Sequence, residues 1–305
     1  MHATFDRAPL DPSLVDWDRV DVGTYVVHQR FRYDYPTRIL DLQHQLVVIS
    51  PPSFGDQTRL LYSVEVSEPG EVITRIDSFS NTVLDVRIPV VEQVIVFDAW
   101  VTLERHGPVL PRSLPSKWLH EVRLLQETTR TAADAAIKQA AVDLLASGAT
   151  GLALAELACH WVYETMTYTP GATGVFTTAA AALAERRGVC QDYSHLMITL
   201  CRAMGLPALY VSGHLLGEGG THSWVEVLLP AADGSGQAEG WSLDPTHNRH
   251  ADLTYLTVAV GRDYGDVAPT SGSYRAGHGG MLEAHKDVRV VDVAYVTDNG
   301  EHHAG

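Results

Sequence analysis

From Val22 to about Glu104, apolar and polar positions alternate in short runs, as in Phe31-Arg32-Tyr33-Asp34-Tyr35 and Gln93-Val94-Ile95-Val96-Phe97. Successive side chains of a strand point to opposite faces, so a period of two predicts half-buried β-strands. Pro51-Pro52, Pro69-Gly70 and Ser80-Asn81 break the runs at turn-like intervals, which a helix would have to tolerate and a set of hairpins would not. The pattern predicts an antiparallel β-sandwich or a comparable two-layer sheet.

Between His106 and Leu119, Gly107, Pro108, Pro111 and Pro115 discourage regular structure. Beyond them the composition shifts to Ala, Leu and Gln, and the period moves toward 3.6. Thr131 is the expected N-cap of a helix that runs to about Ala146 and stops at Gly148. A second helix is predicted over about 152–165, with Leu154, Leu157, Trp161 and Val162 near one face and Cys159 packed beside them. Thr177-Thr178 caps a short Ala-rich helix ending near Arg187. Gly188 then turns the chain into a longer helix, from Cys190 to about Met204, stopped by Gly205 and Pro207. Three strand-like runs follow, around Leu209-Tyr210-Val211, Trp224 to Leu229 and Gly240 to Leu243, with Ala231 to Glu239 as a hairpin loop. The expected organisation is a β-rich domain over 1–105, a linker over 106–130, a core over 131–292 and a tail over 293–305.

An apolar fraction of 45% and a charged fraction of 19% are those of a globular chain. A net charge of −15 argues against nucleic acid and anionic membrane surfaces as partners, since both are held by basic faces. Three cysteines without a CxxC pair make neither a disulfide framework nor a dithiol site, and a reducing, cytoplasmic setting is the expectation. The first residues, MHATFDRAPLDPSL, lack the apolar run of a signal peptide, and no stretch of about 18 unbroken apolar residues reads as a membrane span. Nothing in the pattern sets the oligomeric state.

Against this background Cys190 stands out. A thiol in the first turn of a helix sits against unpaired backbone N–H groups and the positive end of the helix dipole, which favours thiolate over a thiol of pKa about 8.5. The Cys190 N–H is also placed to act as an oxyanion donor. A nucleophile of this kind needs a base, and the base needs an acceptor to orient it. His222 begins one predicted strand and Asp244 ends another. If the two strands are antiparallel neighbours joined by the loop after Ala231, imidazole and carboxylate meet at one sheet edge.

The segments Gly188-Val189-Cys190-Gln191-Asp192-Tyr193-Ser194-His195-Leu196, Thr221-His222-Ser223-Trp224-Val225-Glu226 and Leu243-Asp244-Pro245-Thr246 closely resemble the motifs of the bacterial transglutaminase-like superfamily. Gly205 to Gly213 and Val258 to Pro269 match as well, and Tyr33-Asp34-Tyr35-Pro36, Gln43 and Asp77-Ser78-Phe79-Ser80-Asn81 resemble its strand-rich N-terminal region more weakly. The resemblance implies an α+β protein: an N-terminal antiparallel β-sandwich followed by a papain-like, transglutaminase-like core, its nucleophile helix packed on an antiparallel sheet. It implies Cys190, His222 and Asp244 as catalytic residues, and a peptide or protein amide as substrate. Ser194 stands where the family commonly has a small residue such as Ala, and His247 where Asn is frequent.

Gln191, Trp224 and Arg262 are the substrate-binding candidates, Trp224 as a wall of the cleft. Arg262 with Asp263 also reads as an internal pair that orders a loop. His195 lies five positions along the helix and points away from Cys190, so a structural role is expected. Asp192 is expected to cap the helix start, and Cys201 and Cys159 to be core thiols. His247 and His250 near Asp244 raise zinc as a weak option, but without fixed ligand spacing no metal or other cofactor is assigned. The expected activity is cysteine-dependent acyl transfer at amide bonds, with hydrolysis favoured. An amine-acceptor transglutaminase and a non-catalytic peptide-binding module are the alternatives.

Overall fold

The computed structural model describes Phe5, residues 7–296 and the backbone of His303–Ala304. Of the tail expected at 293–305, residues 297–302 and 305 lie outside the described residues, as do residues 1–4 and 6 of the first segment.

The alternating N-terminal runs form strands β1 (Val20–Asp34), β2 (Ile39–Ile49), β3 (Gln57–Val66), β4 (Glu71–Ile76), β5 (Thr82–Val91) and β6 (Val94–His106). They divide between two antiparallel sheets. One holds β1, β6 and β3 in that order, and the other β2, β5 and β4. Tyr25, Phe31, Leu42, Leu46, Ile88 and Phe97 meet in the core between them. Gln29 shares the inward stripe of β1, and its amide nitrogen donates to the Val48 carbonyl at 2.9 Å, which removes the cost of burying it.

The second half supplies helices α1 (Ala135–Leu145), α2 (Gly151–Thr165), α3 (Ala179–Glu185) and α4 (Cys190–Ala203). Asp134, not Thr131, caps α1: its carboxylate accepts from the Ile137 N–H at 2.9 Å. The Thr131 hydroxyl instead accepts from the buried Arg202 guanidinium at 2.8 Å. Strands β7 (Ala208–Leu215), β8 (His222–Pro230), β9 (Ala238–Asp244) and β10 (Tyr255–Gly261) form an antiparallel sheet in the order β9, β8, β7, β10. Helix α4 lies in the centre of this half, with every residue from Asp192 to Arg202 buried. Leu196, Met197, Ile198 and Leu200 pack there against Val225, Val227 and Leu229 of the sheet. Each such aliphatic side chain withdrawn from water contributes about 1.5–3 kcal/mol.

After β10 the chain returns to the first half. Strand β11 (Thr270–Arg275) pairs with β2, and β12 (Met281–Tyr295) runs antiparallel along the whole of β1. Residues expected in the core thus complete the N-terminal sheets. The segment after β6 is likewise structured: Arg112–Leu114 pairs with β9, and two short 3-10 helices follow. Side-chain amides tie the halves together. Gln57 exchanges two hydrogen bonds with the backbone of Thr257, at 2.8 and 2.9 Å, and Asn81 does the same with Val260, at 2.7 and 2.8 Å. These bonds satisfy the outer edge of β10 as another strand would.

Candidate active site

Cys190 opens α4 and is half-buried. The residue before it, Val189, has no side-chain oxygen with which to cap the helix. Asp192 compensates: its Oδ2 accepts from the Val189 N–H at 2.8 Å and from the Thr173 hydroxyl at 2.6 Å. Gly188 is required for space, because a Cβ there would lie 2.5 Å from that same oxygen. The left-handed residue of this turn is Arg186, with φ of 52°. Burial pushes the Asp192 carboxyl above its ordinary value, against those hydrogen bonds. Its Oδ1 is buried without a partner.

The expected strand pairing is present. β8 and β9 are antiparallel neighbours, with Val225 opposite Leu243, so the start of one lies beside the end of the other. His222 Nε2 and Asp244 Oδ2 are 2.8 Å apart, both side chains being almost fully buried. Burial disfavours the His222 imidazolium, but the hydrogen-bonded Asp244 carboxylate and the influence of the Cys190 sulfur outweigh it and hold the pKa up to about 10. Of the three residues expected to be catalytic, His222 and Asp244 are thus in direct contact, and the Cys190 sulfur is near enough to His222 to raise its pKa.

Asp244 carries more partners than the sequence indicated. Its Oδ2 also accepts from the Tyr255 hydroxyl and from His247 Nδ1, each at 2.7 Å, and its Oδ1 from the Thr246 N–H at 2.8 Å. Desolvation opposes the charge, but these donors hold the carboxyl far below the usual range. His247 bridges Asp244 and Glu218, whose Oε1 is 3.1 Å from Nε2, and the two carboxylates raise its pKa to about 9. Glu218 also places Oε2 3.4 Å from His222 Nδ1. A cavity of about 540 Å³ lies here, lined by Tyr168, Glu218, Thr221, His222, Thr246 and His247.

The remaining candidates are placed less centrally. Gln191 is half-buried in the first turn of α4. Trp224, the expected wall of the cleft, is 1% exposed: it packs edge-on against Tyr255 and faces a separate cavity of about 300 Å³ shared with Phe54 and Arg112. Side chains two apart on a strand share a face, which sets its ring 6.2 Å from that of His222 and makes it a support for the base. Arg262 forms a two-pronged pair with Asp266, at 2.8 and 2.9 Å, and not with Asp263. Asp263 caps the short helix Tyr264–Val267 and pairs with Arg130 at 3.5 Å. His195 is fully buried, accepts from the Tyr264 N–H at 3.1 Å and is held neutral, its pKa pushed down to about 3 by burial.

His222, Asp244 and His247 bring potential metal-ligating atoms within 4.8 Å of one another. Those atoms already face each other across N–H···O bonds of 2.7–2.8 Å, so a cation would have to displace the protons that orient the base. His250 lies apart and pairs with Glu156 at 2.8 Å. The described residues fit a proton-carrying triad better than a metal centre.

The chain matches known proteins in this same region. The family model of the transglutaminase-like superfamily matches residues 138–244. An uncharacterised protein of Mycobacterium tuberculosis strain H37Rv is 30% identical over 268 residues, covering 82% of this chain and 79% of that one. An uncharacterised protein of Mycobacterium leprae is 39% identical over 127 residues, 38% of this chain and 43% of its own length. The chain belongs to the transglutaminase-like superfamily. In fold it is similar to the solved structure of a candidate cysteine protease from Cytophaga hutchinsonii, with a TM-score of 0.71, 18% identity, and coverage of 90% of this chain and 92% of that one.

Proposed function

We propose that the protein carries out cysteine-dependent acyl transfer at amide or peptide bonds, with water as the usual acceptor. The observation that supports this best is the His222 ring, held 2.8 Å from Asp244 and coupled electrostatically to the Cys190 sulfur. In the first step Cys190 Sγ attacks the carbonyl carbon, the C–S bond forms, and the C–N bond breaks as His222 protonates the leaving amine. Asp244 holds the ring in the tautomer this requires. Water then attacks the thioester with His222 as base, a C–O bond forms, and Sγ leaves. The Cys190 and Gln191 N–H groups, which precede the first hydrogen bond of α4 from the Asp192 N–H to the Val189 carbonyl, are suited to the oxyanion.

A primary amine as acceptor is the second reading, and Glu218 favours it. A carboxylate 3.4 Å from the proton-transferring nitrogen offers an incoming amine an acceptor for its N–H groups. Both readings are tested by incubating the protein and Cys190→Ala with a panel of peptide and glutamine amides, with and without a primary amine. Release of acid in water, abolished by Cys190→Ala, is the expected result, and product formed only with the amine would select transglutamination. Equal turnover by Cys190→Ala would remove the mechanism.

A further inference from the structure

We infer that His247 is a positioning residue for the catalytic base: it shares both carboxylates that face His222, and so leaves the base able to release the proton it gives to the leaving amine. This rests on the acyl-transfer reading, in which His222 is the base, and adds the group that tunes it.

Four side chains close a ring. His222 Nε2 lies 2.8 Å from Asp244 Oδ2, and its Nδ1 lies 3.4 Å from Glu218 Oε2. His247 Nδ1 lies 2.7 Å from the same Asp244 oxygen, and its Nε2 lies 3.1 Å from the other Glu218 oxygen, Oε1. Imidazoles and carboxylates thus alternate, with the two imidazole centroids 5.3 Å apart. Both nitrogens of His247 face carboxylate oxygens, which accept only, so both carry protons and the ring is an imidazolium.

An opposite charge within about 4–6 Å favours the ionised form of an imidazole, and two carboxylates on one ring hold its proton more firmly than a proton-transfer group requires. His247 counters this in two ways. Its Nδ1–H competes with His222 for Asp244 Oδ2, which also accepts from the Tyr255 hydroxyl. Its positive charge opposes an imidazolium at His222 across 5.3 Å. Both effects make His222 less basic than Asp244 and Glu218 alone would make it. The other rings near the base are uncharged: Tyr255 on β10 and Trp224 on β8, with centroids 5.9 and 6.2 Å away, and Tyr168 in the cavity wall. On the β12 side Lys286 donates to Thr221 Oγ1 at 3.2 Å, next to the base. The Cys190 sulfur also couples to His222, but it becomes neutral once the thioester forms. The carboxylates then dominate the pull on the proton. At that stage His222 has to be neutral to take a proton from water, and sharing them with His247 matters most.

NMR titration of the His222 imidazole in the full chain, together with the pH profile of amide turnover, tests this. His247→Asn keeps a donor for Asp244 and removes the charge. It is expected to raise the His222 midpoint by about one pH unit, to carry the alkaline limb of turnover up with it, and to lower kcat at neutral pH about three- to tenfold. His247→Gln serves as a second neutral variant, and the dispersion of each spectrum reports whether the variant is folded. Glu218→Gln combined with His247→Asn removes the second carboxylate along with the second imidazole, and is expected to return both midpoint and kcat toward the native values. A residue that only packs would give no such rescue. An unchanged or lowered His222 midpoint in His247→Asn overturns the assignment, as does a double variant with lower kcat than the single one. If the midpoint moves as stated but turnover is equal in Cys190→Ala, the acyl-transfer reading fails, and the catalytic role of His247 with it, while the ring of four stands.

Discussion

The two ends of α4 each carry a cysteine, and the difference between them shows what makes a thiol reactive. Cys201, near the last turn, is fully buried among apolar side chains, and burial pushes its thiol up to about 12. Such a group stays protonated and packs as a small hydrophobe. Cys190 lies eleven residues earlier, in the first turn, half-buried and electrostatically coupled to His222. Helix, residue type and neighbouring core are shared. In the proposed mechanism, position relative to the helix dipole and to one imidazole separates nucleophile from filler.

Asp244→Asn breaks this comparison most severely. It keeps the shape but allows the wrong tautomer of His222, and amide turnover should fall about 10³–10⁴-fold while Cys201 remains inert. A smaller change at the other end sharpens the contrast: Cys201→Ala should cost about 1–2 kcal/mol in urea unfolding through its small cavity, without changing the alkylation rate of Cys190. Tyr255→Phe removes one of three donors on Asp244 Oδ2, so it should cost about 0.5–1.5 kcal/mol and slow turnover less than Asp244→Asn.

The pH dependence of stability follows from the same pair. His222 is raised from 6.5 to about 10, so its contribution is complete below about 6.5 and is lost as pH rises through about 10. Asp244 is lowered from 3.8, so its contribution is complete above that value and is lost as pH falls further. Urea unfolding across pH should show both limbs in the native protein and flatter limbs in Asp244→Asn. Parallel curves for the two proteins would show that the pair is not linked to folding.

The meeting of His222 with Asp244 was legible in the sequence because it depends on local rules. The glycine before the helix start marked Cys190, although the left-handed turn itself is made by Arg186, and a hairpin between two strands fixed that His222 would meet Asp244. Residues 281–295 were assigned to the core and tail with no strand expected there; period two can identify a strand without naming its partner, and only the folded chain shows β12 alongside β1. The same limit hid Tyr255, Glu218 and Lys286, which reach the site across 11, 4 and 65 positions from Asp244, His222 and Thr221. Thr131 was a sound cap by residue type. Arg202, drawn in from α4, claimed its hydroxyl and left the task to Asp134.

The central claim, that Cys190 is a nucleophile activated by His222, is tested most directly by the pH profile of Cys190 alkylation with iodoacetamide in the native protein and in His222→Ala. Rapid modification of Cys190 alone in mild acid, with Cys159 and Cys201 protected and the acid limb lost in His222→Ala, is the predicted result. A Cys190 that reacts in both proteins only as the solution becomes alkaline, like a small free thiol, would contradict it.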